Sequence, residues 1–492
     1  MPRSKPESAL SGPDRPALDA VVVGAGPNGL AAALTLARAG RSVRVYEAAS
    51  TIGGGTRTME LTLPGFRHDV CSTIVPLTLA SPFFQTVDWA AHGVELVQPD
   101  APLAHPFDDG RAVVLERSFT ATAAGLDRDR RTDDGSAWRR LFGPLARDAG
   151  KLGRELLRPV VHVPRHPLAL ARFGLPALRS AEGLARARFR GDGAQALFGG
   201  LAAHSMVALD RPLSASFGLV LGLYAHAVGW PMVRGGSSAI GDALAAEIRA
   251  LGGEIGTGHR VASLDDVPPS RVVLLDTTPR AALAIAGDRL APRTRRRYER
   301  FRYGPGVFKV DWALAGPVPW TAAGPRRAGT VHLGGTLAEI VRSERQVAAG
   351  RAPDRPFTLF AQYHPWDPTR APAGMTTAWA YCHVPTGSDV DMTDRIEAQV
   401  ERFAPGFRDL ILGRATHSPA RMEEHDPNYI GGDINAGISD IRQLLVRPTP
   451  SLDPYHAGPG LYLCSSSTPP GGGVHGMGGY LAARSALRRD LR

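Results

Sequence analysis

The sequence predicts an α/β protein in which a discontinuous domain, built on a parallel sheet, alternates with an interleaved α+β domain. Three observations predict this arrangement: a strand–turn–helix pattern near the N-terminus, a second one at the C-terminus, and a helix followed by two strands in between. The 492 residues are enough for two or three domains. Apolar residues make up 43% and charged residues 21%, as in ordinary globular proteins.

The first pattern is a glycine-rich turn between two strands. A β-branched run at residues 20–23 is typical of a parallel strand buried on both faces. The sequence Gly-x-Gly-x-x-Gly follows at 24–29, and apolar residues at helical spacing predict a helix over 30–39. Val43–Tyr46 predicts a second strand that ends at Glu47. Together these features predict a Rossmann-like dinucleotide site.

Each residue type has a physical reason. Gly24 allows the tight turn, Gly26 lets a pyrophosphate approach the backbone, and Gly29 allows close packing of helix and strand. The N-terminus of the helix then favours the negative charge of the phosphates. Glu47 is placed to accept hydrogen bonds from a ribose, and its charge disfavours the 2′-phosphate of NADP. Three neighbours should border the nucleotide as well: Pro27, Asn28 and Ala48.

Two further segments decide the cofactor. Residues 52–57 are glycine-rich, and residues 460–464 predict a strand that leads into the glycine-rich turn 465–476 and a helix at 478–487. In these segments the chain resembles the FAD-dependent phytoene desaturase (phytoene dehydrogenase) group, within the flavoproteins that include amine oxidases. The resemblance implies FAD as cofactor. It places the pair Gly53-Gly54 along the pyrophosphate, with Gly55 and Arg57 next to it. It places the flavin beside a second set of residues: Ser466, Thr468, Gly473, Val474 and Met477.

The chain departs from that family's pattern at two places. Gly55 stands where an arginine is usual, so Arg57 is the nearest substitute for the pyrophosphate cation. Residues 465–467 are three serines where the family has Gly-Ala-Gly. Because neither change removes a backbone donor, FAD remains the expected cofactor.

The centre of the chain adds the third pattern. A helix with Ile240, Leu244, Ile248 and Leu251 on one face is followed by a strand-like stretch at 254–261. A second strand is expected over residues 272–275, and the resemblance implies that the backbone near Val261 meets the adenine. We therefore expect a disordered tail at 1–18, an FAD domain at 19–85, 225–290 and 441–492, and a substrate domain at 86–224 and 291–440.

Charge and cysteine usage exclude several classes of protein. The net charge is +10, and only three of the 57 basic residues are lysine. Since no zinc-finger or RNA-binding motif is present, nucleic acid is not expected as a partner. The three cysteines include no Cys-x-x-Cys pair, which argues against a disulfide reductase and fits a reducing compartment.

No signal peptide or membrane-spanning segment is expected, so we predict a cytoplasmic protein. Between residues 151 and 190, nine cations alternate with leucine, valine and phenylalanine. This pattern fits either a helix on anionic lipid or a solvated arginine face. If the lipid interpretation is right, Arg186, Arg188 and Arg190 should contribute to peripheral membrane binding.

Four residues are candidates for acid–base chemistry. His475 lies inside the flavin-side turn, and Lys309, in the predicted strand 307–312, could face the flavin as amine-oxidase lysines do. The alternatives are a structural or solvent-facing His475 and a simply exposed Lys309. His383 and Asp433 are expected in turns, with a structural hydrogen-bonding role as the alternative to catalysis.

The expected reaction is hydride transfer to flavin from a largely apolar, possibly isoprenoid-like substrate, either as desaturation or as isomerisation through transient dehydrogenation. Oxygen or a quinone would accept the electrons. Because only one Gly-x-Gly-x-x-Gly follows a strand, NADH and NADPH are not expected to reduce the protein. Two alternatives stay open: an amine oxidase with an aromatic cage, and a flavin-binding interaction protein without activity. No metal is expected.

Overall fold

The computed structural model describes residues 18–128 and 132–492. The tail predicted at 1–18 lies outside these residues except for Leu18, which already belongs to the first strand and pairs with Ser270. The boundary of the tail is therefore wrong by that one residue.

The described residues form strands with the following bounds: β1 (Leu18–Val23), β2 (Val43–Tyr46), β3 (Thr58–Glu60), β4 (Arg67–Asp69), β5 (Leu96–Val97), β6 (Ala101–Pro106), β7 (Ala112–Leu115), β8 (Met232–Val233), β9 (Glu254–Gly256), β10 (Ser270–Leu275), β11 (Gly306–Leu314), β12 (Ala328–Leu333), β13 (Thr358–Gln362), β14 (Thr376–Val384), β15 (Ile411–His417), β16 (His456–Gly458) and β17 (Leu461–Leu463).

The helices have these bounds: α1 (Pro27–Arg38), α2 (Pro76–Ala80), α3 (Phe119–Leu126), α4 (Asp134–Arg147), α5 (Ala149–Leu156), α6 (Pro167–Ala177), α7 (Ala181–Arg188), α8 (Asp192–Ala203), α9 (Ser214–Ala227), α10 (Ser238–Ala250), α11 (Pro279–Ala286), α12 (Pro292–Glu299), α13 (Leu337–Ala348), α14 (Thr393–Phe403), α15 (Pro419–His425), α16 (Ile441–Val446) and α17 (Met477–Arg489).

The first sheet is the nucleotide-binding one. Its order is β16-β17-β10-β1-β2-β9, and every pair is parallel except β16 with β17. Helices α1, α10 and α17 pack on one face through alanine, leucine and isoleucine, while α11 and α12 cover the other. Because both faces of the sheet are buried, the last four residues of β1 and the last four of β10 are all apolar. The predicted α/β class with a Rossmann-like domain is confirmed.

The second sheet has the order β15-β11-β14-β13-β12-β6-β7 and is antiparallel except between β12 and β6. Helix α14 covers one face, and an apolar cluster contributed mainly by α4, α6, α7, α8 and α9 lies against β6 and β7. All seven strands fall inside the segments predicted as the substrate domain. The domain boundaries themselves remain a prediction. One small sheet joins the two predicted domains, because β5 from one pairs with β8 from the other.

A buried polar cluster joins the N-terminal segment to the second sheet. The Asp69 carboxylate, at the end of β4, accepts hydrogen bonds from the side chains of Thr73 (3.0 Å), Tyr363 (3.2 Å) and Arg370 (3.1 Å). Burial raises the pKa of Asp69, but Arg370 outweighs this effect and the net direction is down. The carboxylate stays charged, and its bonds fix β4 against β13 and the turn before β14.

The central segment differs from the prediction in two details. The strand expected over 254–261 ends at Gly256, because Gly258 adopts a positive φ of 69° and His259 turns back to bond the carbonyl of Glu47. Leu251 was expected on the buried face of α10, but it lies after the last helical residue and its side chain is exposed.

Among residues 18–128 and 132–492, no helix has the length and apolar character that crossing a membrane requires.

The packing of α17 on α1 generates a stability prediction. A Cβ atom at Gly479 would lie 1.7 Å from the backbone oxygen of Asn28, so Gly479→Ala should force the helices apart. We expect a loss of about 1–3 kcal/mol in the free energy of unfolding, measured by chemical denaturation.

Gly174→Ala, in α6 with open space around it, is the matched control. This substitution should leave the free energy of unfolding unchanged or raise it by up to about 1 kcal/mol. Equal effects at both glycines would show that helix packing does not depend on the close approach.

Candidate functional site

The turn after β1 brings the helix α1 directly onto the end of the sheet. Gly24 has a φ of 101°, and a Cβ at Gly29 would lie only 2.1 Å from the backbone oxygen of Gly24. The N–H of Gly29 donates to the Asp276 carboxylate (2.8 Å). Only glycine allows the backbones of α1 and the turn to come this close. As a result, the first N–H groups of α1 face the edge of the sheet.

Glu47 is fixed at the end of β2. One carboxylate oxygen accepts from the N–H of Ala25 (2.8 Å), and the other accepts from the N–H of Ala49 (2.8 Å) and from Arg57 (3.3 Å). Arg57 is buried as well and also donates to the backbone oxygens of Thr51 and His425. Arg57 therefore lies beside the glycine turn, where the sequence predicts a pyrophosphate cation.

A cavity of about 420 Å³, called here the nucleotide-side cavity, opens at the ends of β1, β2 and β10. Seven of the predicted cofactor residues line it: Gly24, Gly26, Glu47, Ala48, Gly54, Arg57 and Val261. The rings of Tyr46 and His259, both in its wall, are tilted by 49° with their centroids 5.0 Å apart. The volume and the mixed polar and aromatic lining suit an adenosine.

A narrow channel of about 90 Å³ continues from this cavity and shares part of its wall, including Gly26, Gly54 and Asp276. Other predicted residues line it: Pro27, Asn28, Gly55, Ser466, Gly473 and Val474. Tyr429 also lines the channel, and a Cβ at Gly55 would lie 2.2 Å from its hydroxyl oxygen. A side chain at residue 55 would therefore require Tyr429 to move.

An apolar cavity of about 330 Å³ follows on the far side of the C-terminal turn. It shares Ser72, Gly473 and Val474 with the channel. Most of the remaining wall is hydrocarbon from α2, α5, α6 and α9: Leu77, Leu156, Phe173, Phe217, Val220 and Leu221. Three cavities thus follow one another from the glycine turn of β1 to the apolar interior.

The residues present fit FAD. The nucleotide-side cavity can hold the adenosine, the channel is bordered by the glycines of two turns, and the buried Asn28 Oδ1 lacks a hydrogen-bond partner among the described residues. A Cβ at Gly26 would lie 2.9 Å from Asp276 Oδ2, so any side chain there would obstruct the pyrophosphate path. Gly29, Thr468 and Met477 lie behind the walls of these three cavities rather than in them.

His475 lies in the wall of the apolar cavity, inside the C-terminal turn. Its Nδ1 accepts from the N–H of Met477 (3.1 Å), and its Nε2 lies 3.1 Å from the backbone oxygen of Gly471, to which it donates. Burial lowers the pKa of His475 to about 4, so the ring is neutral at physiological pH. Both ring nitrogens hold the shape of the turn; a catalytic role for His475 stays a prediction.

Lys309 is not brought to these cavities. It lies on β11, where its ammonium group pairs with Asp311 and donates to the backbone oxygen of Asp69 (3.2 Å). Its side chain is 2% exposed, so the alternative of a simply exposed lysine is wrong. The reason is that Asp311, two residues along the same strand, faces the same side and neutralises the charge.

The two weaker candidates have structural partners. His383 lies in β14 rather than in the expected turn, and its Nδ1 is 2.9 Å from a carboxylate oxygen of Glu344. Asp433 follows the glycine pair 431–432 and accepts hydrogen bonds from the N–H groups of Gly304 (2.7 Å) and Gly437 (2.7 Å). Neither residue lines the three cavities.

Sequence reasoning missed Arg447, which is buried and borders the apolar cavity. It donates to the backbone oxygens of Ser466 (2.8 Å), Ala436 (2.9 Å) and Asn435 (2.8 Å), and thereby ties two loops together at the C-terminal turn. Burial lowers the pKa of Arg447 to about 10. An isolated arginine gives no signal in a sequence that is rich in arginine.

Two more residues were missed. Asp276 follows β10 just as Glu47 follows β2, and this parallel could have identified it. His204 borders the apolar cavity with its Nε2 3.1 Å from that of His332, and burial lowers its pKa to about 3. No local motif marks His204.

Comparison with known proteins agrees with this geometry. A family model described as an NAD(P)-binding Rossmann-like domain matches residues 22–88. The chain is similar to a Rattus norvegicus protein named pyridine nucleotide-disulfide oxidoreductase domain-containing protein 2. The two sequences are 26% identical over 561 aligned residues, and the alignment covers 99% of this chain and 96% of the rat protein. The chain has three cysteines and no Cys-x-x-Cys pair.

Two solved structures share the fold. Wild-type putrescine oxidase bound to putrescine has a TM-score of 0.60 at 18% identity, with 96% of this chain and 99% of that chain covered. A fatty acid isomerase from P. acnes, described as producing CLA, has a TM-score of 0.57 at 13% identity, with 96% and 98% covered. At these identities the likeness shows the fold alone.

The site predicts the effect of one substitution on cofactor retention. Gly26→Val should abolish flavin binding, because the new side chain would lie against Asp276 in the pyrophosphate path. The flavin released per protein after denaturation measures this directly. Gly174→Val, at an open position in α6, should retain the flavin. A yellow Gly26→Val protein would overturn the assignment of the cradle.

Proposed function

We propose that the protein is an FAD-dependent oxidoreductase that dehydrogenates or isomerises a largely apolar substrate, an isoprenoid or acyl chain. The apolar cavity carries this proposal, because it adjoins the C-terminal turn at Gly473 and Val474 and is walled by aliphatic and phenylalanine side chains. Bound FAD supplies a hydride acceptor. The phytoene desaturase resemblance and the fold of the fatty acid isomerase support the same substrate class.

The chain's own residues have three tasks in this reaction. Val220 and Leu221 of α9 hold the hydrocarbon and exclude water. His475 keeps the turn rigid through its two backbone hydrogen bonds, which fixes the distance between substrate and cofactor. His204, in the same wall, stays neutral because burial lowers its pKa to about 3, and its Nε2 lies 3.1 Å from that of His332, so this ring adds no charge beside the substrate.

Amine oxidation is the second candidate, and the likeness to the putrescine oxidase fold favours it. Two observations weigh against it. Lys309 is neutralised by Asp311 outside the cavities. The wall of the apolar cavity includes Phe173, Phe217 and Tyr224, but most of its other side chains are aliphatic.

An exposed apolar face lies beside the cavity. The segment 160–178 carries six large apolar side chains that point to solvent: Val160, Val161, Val163, Leu168, Leu175 and Leu178. Val160 also borders the cavity itself, and Arg158 lies next to it. Exposed hydrocarbon flanked by arginine suits the surface of an anionic bilayer, from which an apolar substrate would enter. The proposed membrane contact is therefore centred on 160–178. Arg186, farther along, already pairs with Glu182.

Anaerobic reduction of the flavin tests the proposed function. A long-chain unsaturated fatty acid or a terpene should either bleach the oxidised flavin, if it is dehydrogenated, or be recovered as a double-bond isomer with the flavin oxidised. Putrescine, NADH and NADPH should not bleach the flavin. Val220→Trp should slow either reaction at least tenfold without loss of flavin, because the indole would fill the cavity. Leu412→Trp, exposed on β15, is the control and should keep the full rate. If only putrescine bleaches the flavin, the result favours amine oxidation. If only NADH or NADPH bleaches it, the result contradicts both the proposed function and amine oxidation.

Vesicle sedimentation tests the membrane face. Wild-type protein should bind anionic vesicles at low salt and dissociate as salt rises, since each basic residue near the surface contributes on the order of 1 kcal/mol. The double substitution Leu168→Ser and Leu175→Ser should reduce binding, because both side chains are exposed on α6. Replacing Arg186, Arg188 and Arg190 with glutamine should have a smaller effect. Leu412→Ser should have none, and equal binding by all variants would refute this face.

A further inference from the structure

Asp276 occupies the position that a dinucleotide's phosphates would approach. It follows β10 directly, is buried, and lines both the nucleotide-side cavity and the channel. Its Oδ2 accepts the hydrogen bond from the N–H of Gly29 at the N-terminus of α1. The same oxygen lies 2.9 Å from the place where a Cβ at Gly26 would stand. The protein thus holds its own carboxyl group in the anion site of the helix.

The surroundings of Asp276 contain more acid than base. Glu47 lies at the end of β2 and Asp426 at the end of α15, both in the wall of the nucleotide-side cavity. The one buried cation in that wall, Arg57, is already bonded to Glu47. Burial lowers the pKa of His425 to about 4, so this ring is neutral. The remaining charged or titratable groups of this wall are the buried Tyr46, whose hydroxyl accepts from Arg44, and three exposed side chains: His259, Arg260 and Glu424.

These surroundings favour the acid form of Asp276. Burial raises the pKa of its carboxyl to about 7, repulsion from Asp426 and Glu47 acts in the same direction, and the N–H groups of Gly29 and Gly26 oppose the rise. A pyrophosphate would add two negative charges to a site with three carboxyl groups and one arginine. Since like charges in a buried site cannot all persist, one carboxyl must take a proton.

We propose that Asp276 binds the pyrophosphate of FAD as a neutral carboxylic acid, so that cofactor binding takes up one proton from solvent. One oxygen keeps the hydrogen bond from Gly29, and the protonated oxygen donates to a phosphate oxygen. No covalent bond changes, and the only species added besides the cofactor is the proton. This inference rests on the proposed FAD binding and assigns a recognition residue to it.

The sign of the pH dependence follows from linkage. Below about pH 7 the free protein already carries the proton, so the dissociation constant of FAD should be constant. Above that pH the proton must be taken up on binding, and the constant should rise about tenfold per pH unit. The rise ends at the higher pKa that Asp276 has in the complex.

Reconstitution of flavin-free protein with FAD tests the inference without any assay of activity. Flavin fluorescence gives the dissociation constant across the pH range, and calorimetry in two buffers of different ionisation enthalpy gives the protons taken up. For wild-type protein we expect a slope near one above pH 7 and about one proton per FAD at pH 8. Asp276→Asn should bind FAD with no slope and no proton uptake, because its amide donates to phosphate at every pH.

Asp426→Asn is the matched control, since Asp426 lines the same cavity and the pKa of its carboxyl is also raised by burial. It should keep the wild-type slope. A slope removed by Asp426→Asn and kept by Asp276→Asn would overturn the inference, and so would wild-type binding with no proton uptake at pH 8. The wild-type calorimetry decides even if a variant does not fold. Failure to bind FAD at any pH would instead refute the proposed function.

Discussion

The close packing of α1 and α17 against the carboxyl edge of the parallel sheet is the constraint on which the rest of the structure depends. Gly29 brings α1 onto the backbone of Gly24, and Gly479 brings α17 onto the backbone of Asn28. The two helices therefore begin close to one another, each just after a glycine-rich turn. Because these turns border a common channel, the nucleotide-side cavity and the apolar cavity are held in fixed order.

Charge is distributed unevenly along this path. The nucleotide end contains Glu47, Asp276, Asp426 and Arg57. At the apolar end carboxylates are absent from the described part of the wall, where Arg158 and Arg447 accompany two histidines. Burial lowers the pKa values of His475 and His204 well below the physiological range. A wall made mostly of hydrocarbon suits hydride transfer from an apolar substrate, and the acid-rich end suits recognition of phosphates and ribose. This separation supports assigning binding to one end and chemistry to the other.

The glycine-rich turns of the cofactor site could be located from the sequence alone. The turn at 24–29, the strand that ends at Glu47 and the glycine-rich C-terminal turn were located correctly, because few residues satisfy such close approaches. The order of the seven-stranded sheet could not be predicted, since its strands pair over long sequence separations. Long-range partners also decide the environment of single side chains. Lys309 is buried because Asp311 pairs with it, and Arg447 became recognisable only through the carbonyl groups that surround it.

The central claim is that one continuous path holds an FAD molecule between the turn of β1 and the turn before α17. A crystal structure of the flavin-loaded protein tests this most directly. We expect the adenosine beside Glu47, the pyrophosphate alongside Gly26 and Gly54, and the flavin ring against Gly473 and Val474 with one face open to the apolar cavity. A flavin ring bound elsewhere, or facing away from the apolar cavity, would contradict it.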